Sequence, residues 1–224
     1  MTLCTLSQEL HIAKSKRYAL AGLVILGWED AKYYVKAAEE ISCPIILQVG
    51  PKCRENTPIE IIGPMLKNLA EGSSINIVTL LDHSSNLEEC KIALDSGFSS
   101  IMFDGSKMEF NKNIDMTCKA VELSKSYGAS VEAELGVVGY EKGIKSEFTD
   151  PELAQEFYAA TQVDALAISV GNTHLEREKA TEVDTKLLSQ IEKFVNCPLV
   201  IHGGSGIKNP QLYWLAKNTA ICKI

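Results

Sequence analysis

Pro44-Ile-Ile-Leu-Gln-Val49, Ile59-Glu-Ile-Ile-Gly-Pro-Met-Leu-Lys-Asn-Leu-Ala-Glu71 and Asn76-Ile-Val-Thr-Leu-Leu81 follow one another along the chain. The first and third are short, almost unbroken apolar runs, which suit strands buried on both faces. The middle stretch is twice as long, and its apolar residues recur at three- and four-residue spacing, as in a helix with one buried face. Strand, helix, strand is a βαβ unit, and it predicts a parallel sheet.

The same alternation runs outward in both directions. Further strand-like runs are Ala19–Leu26, Ser100–Phe103, Ser130–Leu135, Ala165–Val170, Pro198–His202 and Ala220–Ile224. Helical patterns fill the gaps at Glu29–Ile41, Leu87–Ser96, Asn113–Tyr127, Pro151–Thr161, Thr185–Val195 and Pro210–Asn218. An extra amphipathic segment, Ser7–Lys16, precedes the first strand and is expected as a helix at the end opposite the strand C-termini. Eight strands with seven helices between them predict an α/β fold, a (β/α)8 TIM barrel formed as one domain over residues 1–224. A full barrel usually runs to about 250 residues, so this one is expected to lack its final helix.

Composition agrees with that class. Apolar residues make up 46% and charged residues 23% of the 224, an ordinary globular balance that excludes a disordered chain. The net charge of −7 supplies no basic field for nucleic acid. No apolar run approaches the roughly 20 residues that span a bilayer, and Met1–Arg17 has no signal-peptide core. Seven cysteines, irregularly spaced and without a C-x-x-C, argue against a disulfide framework and for a reducing, cytoplasmic setting.

In a barrel the chemistry sits where the strands end. The third strand ends in Asp82-His83, the fourth in Asp104-Gly-Ser106, the sixth in Gly171-Asn-Thr-His174 and the seventh in His202-Gly-Gly-Ser-Gly206, while the fifth carries Glu132 and Glu134. Three of the four histidines therefore lie on one rim, and the fourth, His11, is expected on the surface of the leading helix. His83, His174 and His202 could be unrelated loop residues, but three imidazoles with an open fourth position describe a catalytic zinc site. Asp104 and Glu134 are either further metal ligands or a buried ion pair. Asp82 is a candidate proton donor or acceptor. Gly203, Gly204 and Ser205 suit an anion cradle of backbone N–H groups and one hydroxyl.

Taken together these residues resemble the zinc-dependent class II aldolases of the fructose- and tagatose-bisphosphate type. The resembling pieces are Pro44–Val49, Leu81-Asp-His83, Ser100–Ser106, Ser130-Val-Glu-Ala-Glu-Leu-Gly136, Phe148-Thr-Asp-Pro151, Val163–Ala167, Gly171–His174 and Pro198–Gly206. They occur in the family's order from about residue 40 onward. The resemblance implies that His83, His174 and His202 bind Zn2+, with Asp104 and Glu134 as alternative or supporting metal carboxylates. It implies that Asp82 is the catalytic aspartate and that Gly203, Gly204 and Ser205 hold the phosphate of dihydroxyacetone phosphate. The activity implied is a lyase reaction of carbohydrate metabolism, reversible aldol cleavage of a phosphorylated ketose, with the metal polarising the ketone oxygen.

The departures from the family pattern are specific. An apolar stretch, Ala21-Gly-Leu-Val-Ile-Leu-Gly-Trp28, replaces a polar turn, and Gly50 replaces a substrate-contacting Ser. The loop that carries the family's catalytic glutamate is shorter and reads Gly139-Tyr-Glu-Lys-Gly143, with Glu141 in the matching role. Leu175 occupies a substrate-site position where the family has Gly. The phosphate-gripping segment beyond the eighth strand lies outside the chain. These departures keep a second reading open, a metal-binding relative or fragment with altered or lost catalysis. They also lead us to expect weak bisphosphate turnover with zinc binding retained. Apolar surface left beside an absent last helix favours a homo-oligomer.

Overall fold

The computed structural model describes residues 2–140, 143, 145–175 and 181–224. In chain order the elements are β1 (Leu3–Cys4), α1 (Leu6–Lys16), β2 (Gly22–Val24), α2 (Trp28–Glu40), β3 (Ile45–Val49), α3 (Pro51–Asn56), α4 (Ile59–Glu71), β4 (Ile77–Ser84), α5 (Leu87–Asp95) and β5 (Ser100–Phe103). They continue as α6 (Phe110–Lys125), β6 (Ser130–Leu135), β7 (Gly139–Tyr140), α7 (Pro151–Thr161), β8 (Ala165–Ile168), β9 (Thr173–His174), α8 (Thr185–Phe194), β10 (Leu199–Val200), a 3-10 turn (Gly204–Gly206), α9 (Asn209–Asn218) and β11 (Ile221–Lys223).

The hydrogen-bonded strand order is β11-β10-β8-β6-β5-β4-β3-β2, with β1 added beside β4 and a separate pair β7-β9. Eight strands taken in sequence order, with helices between them, are the expected (β/α)8 arrangement; β2 and β11 are the two ends of the path. Four elements have the bounds read from the sequence: α4, β5, β6 and α7. The first strand is shorter than its apolar run, Gly22–Val24 rather than Ala19–Leu26, and the seventh and eighth shorten likewise. Burial produces an apolar run, but a ladder extends only as far as its neighbour does. The helix α3 was not expected. Six residues are too few to show a period, although Pro51 at the first helical position is a favourable start.

The chain divides into two compact units. The first comprises residues 1–9, 20–104 and 119–132. Its sheet is parallel, with Gly22 opposite Ile46, Val49 opposite Leu81 and Leu81 opposite Ile101. Every residue of β3 is buried, as are Ile77–Leu81 of β4 and all of β5. Ile62 and Leu66 of α4 and Cys90 and Ala93 of α5 are buried helix positions, at the spacing of a single face. The first N–H groups of α1 are capped across the unit: Leu6 N–H donates to Ser100 Oγ and Ser7 N–H to Ser130 Oγ, at the start of β5 and β6. The start of α1 thus lies at the end opposite the strand C-termini, as expected.

The second unit comprises residues 10–19, 105–118 and 133–224. Leu199 of β10 stands between Leu166 of β8 and Ile221 of β11. Two helices of this unit, α7 and α8, begin on carboxylate caps. Asp150 accepts from Glu152 and Leu153 N–H ahead of α7, and Asp184 accepts from Lys186 and Leu187 N–H ahead of α8. Each such cap stabilises by about 0.5–2 kcal/mol. Phe157, Leu188 and Ile191 carry the buried helix faces. No helix among the described residues is long and apolar enough to cross a membrane.

Candidate active site

In the first unit the end of β4 is not a regular strand. The register with β5 slips between Leu81 and Ser84, and His83 has a left-handed backbone, φ 50°. Regular strands point neighbouring side chains to opposite faces; a bulge re-aims them. Asp82 is buried and accepts from Gln48 Nε2 at 2.9 Å. His83 Nδ1 lies 2.8 Å from Asp104 Oδ2, beyond the end of β5. A carboxylate on one ring nitrogen fixes the tautomer and turns the other nitrogen outward as a metal donor. Asp104 thus stands as a hydrogen-bonding partner of His83.

In the second unit β7 and β9 pair in parallel, Gly139 with Thr173 and Tyr140 with His174. The Tyr140 ring stacks on the His174 imidazole, with centroids 4.9 Å apart. The His202 ring meets the same imidazole edge-on at 5.6 Å. Asn172, fully buried, ties the ends of β8 and β10 together. Its Oδ1 accepts from Val170 N–H, and its Nδ2 donates to the carbonyls of Ile168 and His202 at 3.3 and 3.0 Å. The residue after His202 must be glycine. Gly203 has φ 71°, and a Cβ there would drive into the Thr173 carbonyl. The chain then closes a 3-10 turn in which Gly206 N–H donates to Gly203 O and Ile207 N–H to Gly204 O. Ser205 is exposed at its tip. Glu134 is buried in β6, and its Oε1 accepts from Val138 N–H at 3.3 Å.

The donors expected from the sequence are therefore present within each unit. His83 with Asp104, beside Asp82, belongs to the first, and His174 with His202, along with Glu134 and the glycine turn, to the second. Imidazoles set by carboxylate and ring neighbours are the donor chemistry that divalent zinc takes. Leu175 follows His174 and is 69% exposed, with a left-handed φ of 56°. Glu141 lies outside the described residues; its neighbour Tyr140 is the residue stacked on His174. His11 is exposed, as expected. Sequence reasoning missed Arg54 and Asn172 and assigned Gln48 no role. Arg54 and Asn172 are polar residues beside strand ends, where the local pattern does not separate them from solvated ones; Gln48 is the one polar residue of the buried β3, a signal that could have marked it.

Comparison with known proteins identifies a family. The family model for class II fructose-bisphosphate aldolase matches residues 4–224. A 6-phospho-5-dehydro-2-deoxy-D-gluconate aldolase from Shouchella clausii is 36% identical over 208 residues, covering 89% of this chain and 70% of that protein. A probable fructose-bisphosphate aldolase from Bacillus subtilis is 35% identical over 219 residues, covering 95% of this chain and 77% of its own. The crystal structure of the YdjI aldolase from Escherichia coli K12 superposes with a TM-score of 0.89 at 31% identity, over 99% of this chain and 80% of that one. Fold and strand-end residues define a (β/α)8 lyase. The chain belongs to the class II fructose-bisphosphate aldolase family.

Proposed function

We propose that this chain reversibly cleaves a phosphorylated ketose into dihydroxyacetone phosphate and an aldehyde. In this reading the two units form one catalytic domain, and His83, His174 and His202 together hold one Zn2+. The observation that carries it is the pairing of His83 Nδ1 with Asp104, which prepares the remaining nitrogen for a metal. Zinc, when bound, supplies Lewis-acid polarisation of a substrate carbonyl. In the same reading Asp104 and Glu134 serve as alternative or supporting metal carboxylates.

The remaining chemistry belongs to the side chains and the backbone. Gln48 Nε2 donates to Asp82 and orients the carboxylate that exchanges a proton with the substrate hydroxyl. Glu141 is the base that takes the proton from carbon, on a loop whose first residues are pinned beside His174. The opening N–H groups of a helical turn have no partner within it, so those of Gly204 and Ser205, with the Ser205 hydroxyl, receive the phosphate. Leu175 lines the substrate side of His174. The sugar-phosphate substrate, the cytoplasmic and glycolytic setting and self-association into a homo-oligomer belong to the same reading.

The test joins zinc content to proton exchange of dihydroxyacetone phosphate in heavy water. The expected result is one equivalent of zinc and measurable exchange, both lost in His202→Ala, with exchange alone lost in Asp82→Asn. Glu141→Ala is expected to lose most exchange while keeping zinc. Zinc retained by His202→Ala at the wild-type level overturns the ligand set. Zinc bound without exchange selects the alternative, a metal-binding relative without catalysis; the left-handed, non-glycine Leu175 beside His174 favours it.

A further inference from the structure

The bulged end of β4 raises a question that the metal ligands do not answer. His83 adopts a backbone conformation that non-glycine residues reach only at a cost, and such strain persists only where surrounding structure over-determines it. The slip in register between Leu81 and Ser84 also takes the intervening carbonyls out of the regular ladder with β5.

Arg54, on the short helix α3, meets those carbonyls. Its Nη1 donates to Val49 O and to Asp82 O, each at 2.7 Å, and its Nη2 donates to His83 O at 3.1 Å. Its Nε and Nη2 grip Glu89 of α5 at 2.9 and 3.3 Å. All five N–H bonds of the guanidinium are thereby spent, and the side chain is only 10% exposed. The fork joins the C-terminal end of β3, the bulge of β4 and the first turn of α5. A lysine could not do this, because its ammonium has three donors on one atom and no plane.

We propose that Arg54, oriented by Glu89, is the positioning residue of the active site. It clamps the Asp82 and His83 carbonyls so that a proton-transfer carboxylate and a metal imidazole, adjacent in sequence, are held in working orientation on one strand end. Neither residue touches substrate; Arg54 acts through the backbone of Asp82 and His83, and Glu89 acts through Arg54. The inference rests on the proposed metal role of His83.

Zinc affinity measured against a chromophoric chelator tests it, together with the visible spectrum of the cobalt-substituted protein, which reports ligand geometry. Arg54→Met is expected to bind zinc about 10–100-fold more weakly than wild type with an altered cobalt band, the usual effect of removing a support behind a metal ligand. Glu89→Gln, which keeps one acceptor oxygen, is expected to lose affinity severalfold. Millimolar guanidinium is expected to restore part of the affinity of Arg54→Ala. Circular dichroism checks that each variant is folded. Wild-type affinity and spectrum in folded Arg54→Met overturn the proposal. If Arg54→Met does not fold, unchanged affinity in Glu89→Gln overturns it instead. A wild-type protein that binds no zinc overturns the metal reading itself, and this inference with it.

Discussion

The Tyr140 ring stacks on the His174 imidazole, with planes 26° apart, because β7 and β9 pair these two residues directly. Tyr140, which precedes Glu141 in sequence, is therefore held against a candidate metal ligand. An aromatic pair contributes about 0.5–1.5 kcal/mol beyond its burial. Tyr140→Ala is expected to weaken zinc binding by about 2- to 10-fold, as the imidazole loses its neighbour. Tyr140→Phe keeps the ring and is expected to match wild type. Competition titration with a chelator checks both, and equal affinity in the alanine variant contradicts the role.

Asn172 offers a stability test in the second unit. Asn172→Ala removes the acceptor of Val170 N–H and one donor to the His202 carbonyl, in a buried site. Each unsatisfied group costs about 1–3 kcal/mol. The expected result is a lower urea midpoint with an unchanged slope, together with weaker zinc retention through His202. An unchanged midpoint means that water fills the gap and the tie is dispensable.

Leu175 predicts a change in the opposite direction. A left-handed backbone costs a non-glycine residue roughly 1–2 kcal/mol. With its side chain mostly exposed, little packing is lost on removal. Leu175→Gly relieves the strain but adds freedom to the unfolded chain, worth about 0.4–1 kcal/mol. The net expectation is a stability equal to wild type or up to about 1.6 kcal/mol higher. A clear destabilisation in thermal melts refutes the strain argument.

Three buried thiols set an alkaline limit. Burial pushes Cys90 up to about 11, and Cys197 and Cys222 up to about 12, from the ordinary 9.0. A folded-state value above the unfolded one means that the native thiols stay protonated while unfolded thiols ionise. Their contribution to stability is therefore complete below about pH 9 and is lost as pH rises through 11–12. Melts between pH 8 and 10.5 are expected to show a falling midpoint that is shallower in Cys197→Ala. The same slope in that variant removes the thiols as the cause.

Much of this protein could be read directly from its residues. The apolar runs at Ile45–Val49 and Ser100–Phe103 and the helical period of Ile59–Glu71 are local signals, set by which face of each element meets the core. The polar residues at strand ends, His83, His174 and His202 among them, stood out because such types rarely sit beside buried runs without a task.

Local pattern could not place the supports. Arg54 lies in Pro51-Lys-Cys-Arg-Glu-Asn56, a charged segment indistinguishable from a solvated surface. It is nearly buried because the bulge in β4 leaves carbonyls for its five N–H groups to meet. Asn172 has the composition of a loop, and its bond to the His202 carbonyl exists because the ends of β8 and β10 come side by side. Sequence determined the elements and the chemical types at their ends, since periodicity and residue chemistry are properties of neighbours along the chain. Tertiary structure decided which groups hold those ends in place, because a hydrogen bond between residues 28 or 30 positions apart depends on packing that no local pattern encodes.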